Sequence, residues 1–264
     1  MKIGFVGCGN MARAILGGIQ KRKLVPAEEL TASAKTEETR KKIREELGIR
    51  AAENNRDAAA FADILILAVK PACMEEVIEE IADAVRPETI VVTLAPGKTL
   101  QWLDSTFGKP TKLVRTMPNT PALVGEGMTA LCPNAFVTPE ELEKVEAIFQ
   151  SCGKTEVVPE AMIDVVVGAS GSSPAYVFLF IEALADAAVA DGMPRAMAYE
   201  FAAQSVLGSA KLVLETGKHP GELKDMVCSP GGTTMEAVRV LEEKGFRSAV
   251  IEASKACVKK ARGL

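Results

Sequence analysis

The stretch that most constrains the fold is the first one, KIGFVGCGNMARAI, residues 2–15. A β-rich run over 2–6 ends at a glycine turn, and a helix pattern starts at Met11 and continues to Lys23. Between them stands Gly-x-Gly-x-x-Ala, made by Gly7, Gly9 and Ala12. Gly7 permits a tight turn, Gly9 lets backbone approach a pyrophosphate, and Ala12 lets helix and strand pack closely. The start of the helix, through Asn10, Met11 and Ala12, then offers free N–H groups to phosphate. The motif alone also suits a plain tight turn. Placed directly after a first strand it points to a dinucleotide-binding βαβ unit.

The first half keeps the same grammar. LTAS (30–33) ends a second strand, 35–47 is a charged helix, and DILILAV (63–69) is a continuous apolar strand. Residues 74–85 follow as a helix, then TIVVTLA (89–95), KLVRTM (112–117) and GMTALCP (127–133). This β-α-β-α order predicts an α/β fold with a parallel, doubly wound sheet. After about Pro159 the strand signals stop, and helix formers with period-3.6 apolar spacing run to Leu264. The expected organisation is therefore a nucleotide-binding domain over 1–159 and a helical domain over 160–264. A cleft between such halves is a common place for a site.

The cofactor variant is written at the end of the second strand. Folds that prefer NAD place Asp or Glu there to grip the ribose 2′-hydroxyl. Here ASAKTEE (32–38) puts Ser33 and Lys35 at that place, which suits a 2′-phosphate and favours NADPH over NADH. The other reading makes Lys35 a solvated first-turn residue and gives the grip to Glu37 or Glu38. AVKPACM (68–74) follows a buried strand, and open parallel sheets bind ligands at strand carboxyl ends. Val69, Lys70 and Pro71 are thus placed to line the ribose and nicotinamide end, although Lys70 equally suits a surface. Ala95, in TLAPG, ends the next strand on the same rim. Asn119, in RTMPNTPALVGEG, is either an amide anchor at the reacting end or, by default, a turn former.

Composition excludes several classes. The 264 residues carry a net charge of −4, so no strongly basic face is expected and nucleic acid is not an expected partner. The cysteines at 8, 73, 132, 152, 228 and 257 form no Cys-x-x-Cys pair, and His219 is the single histidine. A zinc site is not expected, and scattered unpaired thiols fit a reducing cytoplasm. The N-terminal apolar run is broken by glycines and Asn10 and does not read as a signal peptide. The most apolar segment, PAYVFLFIEALADAAVA (174–190), carries Glu182 and Asp186 and is short for a membrane span. It reads as a buried helix, too apolar to face water around a lone domain, which predicts a homodimer at least.

One further stretch breaks regular structure just before a helix: CSPGGTTMEAV, 228–238. Gly231 and Gly232 clear side chains away, and the amides of Gly232, Thr233 and Thr234 open the helix. Ser229 or Thr233 can simply cap it. The same N–H groups, with the helix dipole, can hold a carboxylate. Both readings stand on the residues alone.

Taken together, GCGNMA, AVKP, RTMPNTP and HPGELKDMVCSPGGTTMEAV make the chain resemble the pyrroline-5-carboxylate reductase family. GSSPAYVFLFIEAL and DGMP fit as well, and the match runs through nearly the whole chain in the same order. One departure is Ser173, where the family commonly has glycine. The resemblance implies a Rossmann-like domain and a helical domain that dimerises by interleaving, with dimers building larger rings, commonly decamers. It implies reduction of 1-pyrroline-5-carboxylate to L-proline with NADPH or NADH, the last step of proline biosynthesis. On it, Ser229, Gly232, Thr233 and Thr234 bind the small-molecule substrate, and the Thr234 hydroxyl reaches the ring nitrogen as the catalytic group. A carbonyl reductase of the β-hydroxyacid dehydrogenase type is the nearer rival, but the helical half has no lysine before Lys211 to serve as its acid. A non-catalytic NADP-binding protein is the more distant one.

Overall fold

Runs of aliphatic residues too short for a helix, IGFV, LTAS, ILIL and IVVT, are buried along their whole length. They form the middle of one sheet whose two faces are both covered, as parallel strands require. The computed structural model describes residues 1–263, in two compact units. The first is Met1–Gly171 with the C-terminal segment from Val258, and the second is Ser172–Cys257.

In chain order the first unit contains β1 (Ile3–Val6), α1 (Asn10–Lys21), β2 (Leu30–Ser33), α2 (Glu37–Glu45), β3 (Arg50–Ala51) and α3 (Asn55–Phe61). Then come β4 (Ile64–Leu67), α4 (Met74–Ile81), β5 (Ile90–Thr93), α5 (Leu100–Phe107), β6 (Lys112–Met117) and β7 (Gly127–Pro133). The series ends with α6 (Pro139–Gln150), β8 (Gly153–Val157) and α7 (Glu160–Val166), followed by a π-type turn over Val167–Gly171. The strand order is β3-β2-β1-β4-β5-β6-β7-β8. The order reverses at β1, which pairs with β2 on one side and β4 on the other. Ligands of such sheets bind outside the carboxyl ends of the strands at that reversal.

All neighbours are parallel except β6 and β7. The sheet is therefore mixed rather than wholly parallel. The cause is the connection over 118–126: it holds two prolines and a 3₁₀ turn closed by Gly125 at φ +82°, too short for a parallel crossover. Asn119 braces it from within. Its Oδ1 accepts from the Met128 N–H at 2.8 Å, and its Nδ2 donates to the Ser170 carbonyl at 3.0 Å.

The period of two divides the core between the faces. Ile3, Phe5, Ile64 and Ile66 pack with α1 and α6 residues such as Ile15, Ile19 and Phe149. Val6, Leu65 and Leu67 pack on the other face with Ile78 and Ile81 of α4 and Leu103 of α5. Each such side chain contributes about 1.5–3 kcal/mol through burial. Buried thiols belong to this core, and desolvation pushes Cys152 up to about 11.

In the second unit α8 (Ser173–Ala190) and α9 (Arg195–Thr216) form a helical hairpin, followed by α10 (Pro220–Met226) and α11 (Thr233–Glu243). The last helix, α12 (Phe246–Ala261), runs on into the segment assigned to the first unit. The hairpin core is small: Ala185, Ala198 and Ala202, with Ile181, Val189 and Met193 against them. The helix expected to be buried over 174–190 is largely open in the single chain, as the dimer expectation requires. In the single chain Phe178 is 60% and Leu179 67% exposed, and Phe201 and Leu214 of α9 are similarly open. By length and composition alone, Glu160–Ala190 is apolar enough to cross a membrane. The hairpin's own core of alanines is too small to cover these side chains within one chain. His219 caps the next helix, α10, its Nδ1 accepting from the Gly221 N–H at 3.0 Å.

Among the described residues Arg115, on β6, is the one buried ionic side chain, 3% exposed. Its guanidinium donates to Glu160 at 3.0 Å and to Asp164 at 3.2 Å, both on α7. Glu160 also accepts from the Leu100 N–H at 2.7 Å, so one carboxylate joins β6, α5 and α7. Removing one member of a buried ion pair leaves the others uncompensated. Arg115→Met is therefore expected to lower stability by roughly 2–3 kcal/mol, under the fully buried range because both carboxylates keep contact with water. A thermal midpoint at fixed protein concentration checks this. An unchanged midpoint would show that the ion pairs are stability-neutral.

Candidate functional site

The first turn of the fold builds a phosphate cradle from backbone. Gly7 has φ +91°, and a Cβ there would lie 2.8 Å from the Ala68 carbonyl oxygen and 3.1 Å from Val69 Cγ1. Only glycine allows that conformation and that approach. Gly9 stands at the N-cap of α1 with no side-chain cap, and its Cβ direction opens on empty space. By contrast α2, α3, α5 and α6 are capped by Thr36, Asn54, Thr99 and Thr138. The N–H groups of Asn10, Met11 and Ala12 thus have no intrahelical acceptor, and the first turn carries no acid. Cys8 lies between the glycines. Burial pushes its thiol up, against the pull of Arg13, so it brings no negative charge to the cradle.

A cavity of about 700 Å³ opens at this point, outside the carboxyl ends of β1, β2 and β4. Gly7, Gly9, Lys35, Val69 and Lys70 line it, as the sequence positions them. Lys35 and Lys70 have no ion-pair partner among the described residues. They bring positive charge to the lining, to which Glu53, Glu76 and Glu80 also contribute. Free N–H groups, an open glycine face and unpaired ammonium groups fit a dinucleotide's phosphates. Asn10, Met11 and Ala12 sit beside the cavity at the start of α1. Pro71, in a 3₁₀ turn, and the buried Ala95 and Asn119 are not in its wall. Asn119 has both ends of its amide engaged in the fold, the turn-forming alternative.

Ser33 departs most from its expected place. It is buried, and its hydroxyl donates to Asn55 Oδ1 at 2.7 Å. Asn55 in turn donates to Glu80 at 2.7 Å and itself lines the cavity. The serine thus orients an amide rather than facing the cavity, because the last residue of β2 points into the α3 side of the sheet. The alternative grip by Glu37 or Glu38 also meets competition. Glu37 accepts from Arg44 and Arg40, and Glu38 from Lys42. Sequence reasoning missed Asn55, Thr36, Thr39 and Arg40 in the wall. A signal for the threonines was present, since Thr36 is an N-cap directly before a charged helix.

In the second unit Ser229, Gly232, Thr233 and Thr234 come together at the start of α11. Gly231 is left-handed at φ +70°, and a Cβ on Gly232 would meet Ser229 Oγ at 2.5 Å. The turn is closed by the Gly232 N–H on the Ser229 carbonyl at 3.0 Å. Gly232 therefore supplies no free amide, and that part of the expected cradle passes to Thr233, Thr234 and Met235. No side chain caps α11. The hydroxyls of Ser229, Thr233 and Thr234 have no hydrogen-bond partner among the described residues. The capping alternative is thus not what these residues do here. Asp186 pairs with Arg195 of its own hairpin.

Two family models match the chain. Residues 2–97 match a family model described as NADP oxidoreductase, coenzyme F420-dependent, and residues 160–264 match pyrroline-5-carboxylate reductase dimerisation. The pyrroline-5-carboxylate reductase of Escherichia coli K12 is 56% identical over 263 residues, covering 100% of this chain and 98% of that one. The Coxiella burnetii reductase structure superposes with a TM-score of 0.92 at 35% identity, over 99% of this chain and 97% of that one. A Plasmodium falciparum pyrroline carboxylate reductase with NADP bound gives 0.91 at 31%, over 100% and 97%. With its NADP-type nucleotide domain and a C-terminal dimerisation domain that makes it a homo-oligomer, the chain belongs to the pyrroline-5-carboxylate reductase family.

Proposed function

We propose that the chain reduces 1-pyrroline-5-carboxylate to L-proline, with residues 1–159 binding NADPH in preference to NADH and residues 160–264 binding substrate and a second copy. The observation that carries the substrate half is the uncapped start of α11 with three unengaged hydroxyls. The substrate is a cyclic imine bearing a carboxylate. A helix N-terminus favours the carboxylate through its free N–H groups and dipole. The N–H groups of Thr233 and Thr234 hold it, and the Ser229 hydroxyl adds a donor. The Thr234 hydroxyl hydrogen-bonds the ring nitrogen, fixing the face that the C=N presents. NADPH, when bound, supplies the hydride. The chain's own contribution is orientation rather than acid–base chemistry, because the imine arrives protonated readily. Consumption of NADPH absorbance on addition of 1-pyrroline-5-carboxylate, with proline as the product, tests the reaction. NADPH binding without turnover would leave a non-catalytic binding protein.

On the nucleotide side, Gly7, Gly9, Asn10, Met11 and Ala12 take the pyrophosphate, and Lys35 faces the 2′-phosphate. Val69, Lys70 and Pro71 follow toward the nicotinamide. Ser33 acts through Asn55. Ala95 and Asn119 shape the fold behind the site.

Thr234→Ala removes a hydrogen bond to a charged partner, worth ~1.5–3 kcal/mol. A fall of roughly ten- to a hundredfold in kcat/KM for the imine is expected, with NADPH affinity unchanged. Thr234→Ser is expected to recover most of the activity. Full activity in Thr234→Ala would remove the hydroxyl from the reacting nitrogen.

We also read the chain as a homodimer at least, in larger rings such as decamers, working in the cytoplasm on a small molecule and apart from nucleic acid and membranes. The exposed apolar faces of α8 and α9 support the dimer, and the scattered thiols support the compartment. Sedimentation at low micromolar concentration is expected to give no active monomer. A stable, active monomer would refute the assembly.

A further inference from the structure

With the Ser33 hydroxyl turned to Asn55, the carboxyl end of β2 keeps Lys35 and loses one of its two expected phosphate donors. The cavity wall offers another cation there. Arg40, on α2, donates through Nε to Glu37 Oε2 at 2.8 Å and through Nη1 to the Ala34 carbonyl at 3.2 Å. Ala34 is the residue that follows β2, so the guanidinium is held at the strand end where the ribose 2′ position is read. It is also the most sheltered cation of its helix. Arg40 is 28% exposed, against 65% for Lys41, 46% for Lys42 and 48% for Arg44. Nη2 and the second hydrogen of Nη1 have no partner among the described residues. Nearby, the Thr36 and Thr39 hydroxyls lie 2.8 Å apart in the same wall.

A guanidinium is planar and permanently charged, and its fork matches phosphate oxygens in a way an ammonium cannot. Its usefulness depends on being fixed in advance. Glu37 does that at Nε while leaving the outer edge open. Arg44, then Arg40, hold the Glu37 carboxyl below its usual range, so the tether stays ionised at neutral pH.

We propose that Arg40 is the specificity-determining residue for the 2′-phosphate of NADPH, with Glu37 as the positioning residue that presents it. This rests on the NADPH reading of the cavity and adds the group that enforces it. The motif-bearing residues Gly7 and Gly9 recognise what NADPH and NADH share; Arg40 recognises what differs.

The test uses the full-length oligomer and the probes 2′,5′-ADP and 5′-AMP, measured by calorimetry, beside KM for NADPH and NADH. Arg40→Met is expected to weaken 2′,5′-ADP binding about ten- to a hundredfold while 5′-AMP stays within about twofold. The NADPH KM is expected to rise by a similar factor and the NADH KM to hold. Arg40→Lys should recover part of the loss, and Glu37→Gln should give an intermediate loss on 2′,5′-ADP alone. A merely structural ion pair would move the thermal midpoint or both ligands together, and that outcome overturns the proposal. If wild type favours 2′,5′-ADP and Arg40→Met does so equally, the Arg40 assignment alone fails. If wild type does not distinguish the two probes, the NADPH reading fails first.

Discussion

No side chain fits at residue 7, and much of the first unit follows from that. The Ala68 carbonyl oxygen lies 2.8 Å from where a Cβ of Gly7 would be, so the turn after β1 packs directly on the residue that follows β4. This contact sets where α1 begins and aims its first N–H groups over the crevice between the two strands. It also places Val69 and Lys70 beside the same crevice. A looser turn would move the helix start away from the strand ends. The anion-binding geometry is therefore a consequence of how tightly two neighbouring strands terminate, before any ligand is considered.

The strands were legible where β-favouring residues run together between turn signals. LTAS, KLVRTM and GMTALCP have the bounds that their sequences suggest, and DILILAV loses only its ends. Short or polar elements left little signal. β3 is two residues long, and β8, GKTEV, alternates without a strong apolar face. The reversed direction of β7 is a property of the short connection before it, which period-two patterning does not encode. Gly7 and Gly9 of the turn, and Val69 and Lys70 after β4, line the cavity because position along a βαβ unit fixes where they stand; Pro71 does not. The bonds of Ser33 to Asn55, 22 residues on, and of Arg40 to Ala34, six residues back, are contacts that local pattern does not encode. A serine at a strand end looks alike in sequence whether it faces ligand or protein.

The two units solve different problems. The nucleotide unit buries its aliphatic residues on both faces of one sheet, so its stability is largely its own. The helical unit has a core of alanines and leaves Phe178, Leu179, Phe201 and Leu214 open. Its apolar surface resembles half of a core rather than a finished one, in keeping with a dimerisation domain. The start of α11 is thus held in a unit whose packing is completed by association, whereas the dinucleotide cradle is not.

The open space beside Gly9 carries a genetic consequence. Its φ of −80° is ordinary for any residue, and a Cβ there would meet no protein atom within 4 Å. Substitution to alanine at Gly9 therefore puts a side chain into the open cavity at the start of α1 without straining the fold. On the proposed pyrophosphate role of Gly9, the product is a chain that folds and joins oligomers while holding no nucleotide. In a cell making both alleles, such subunits would enter mixed assemblies with normal ones. A defect at this one glycine would then act through partnership, in contrast to Gly7, where the same change would remove the chain by misfolding.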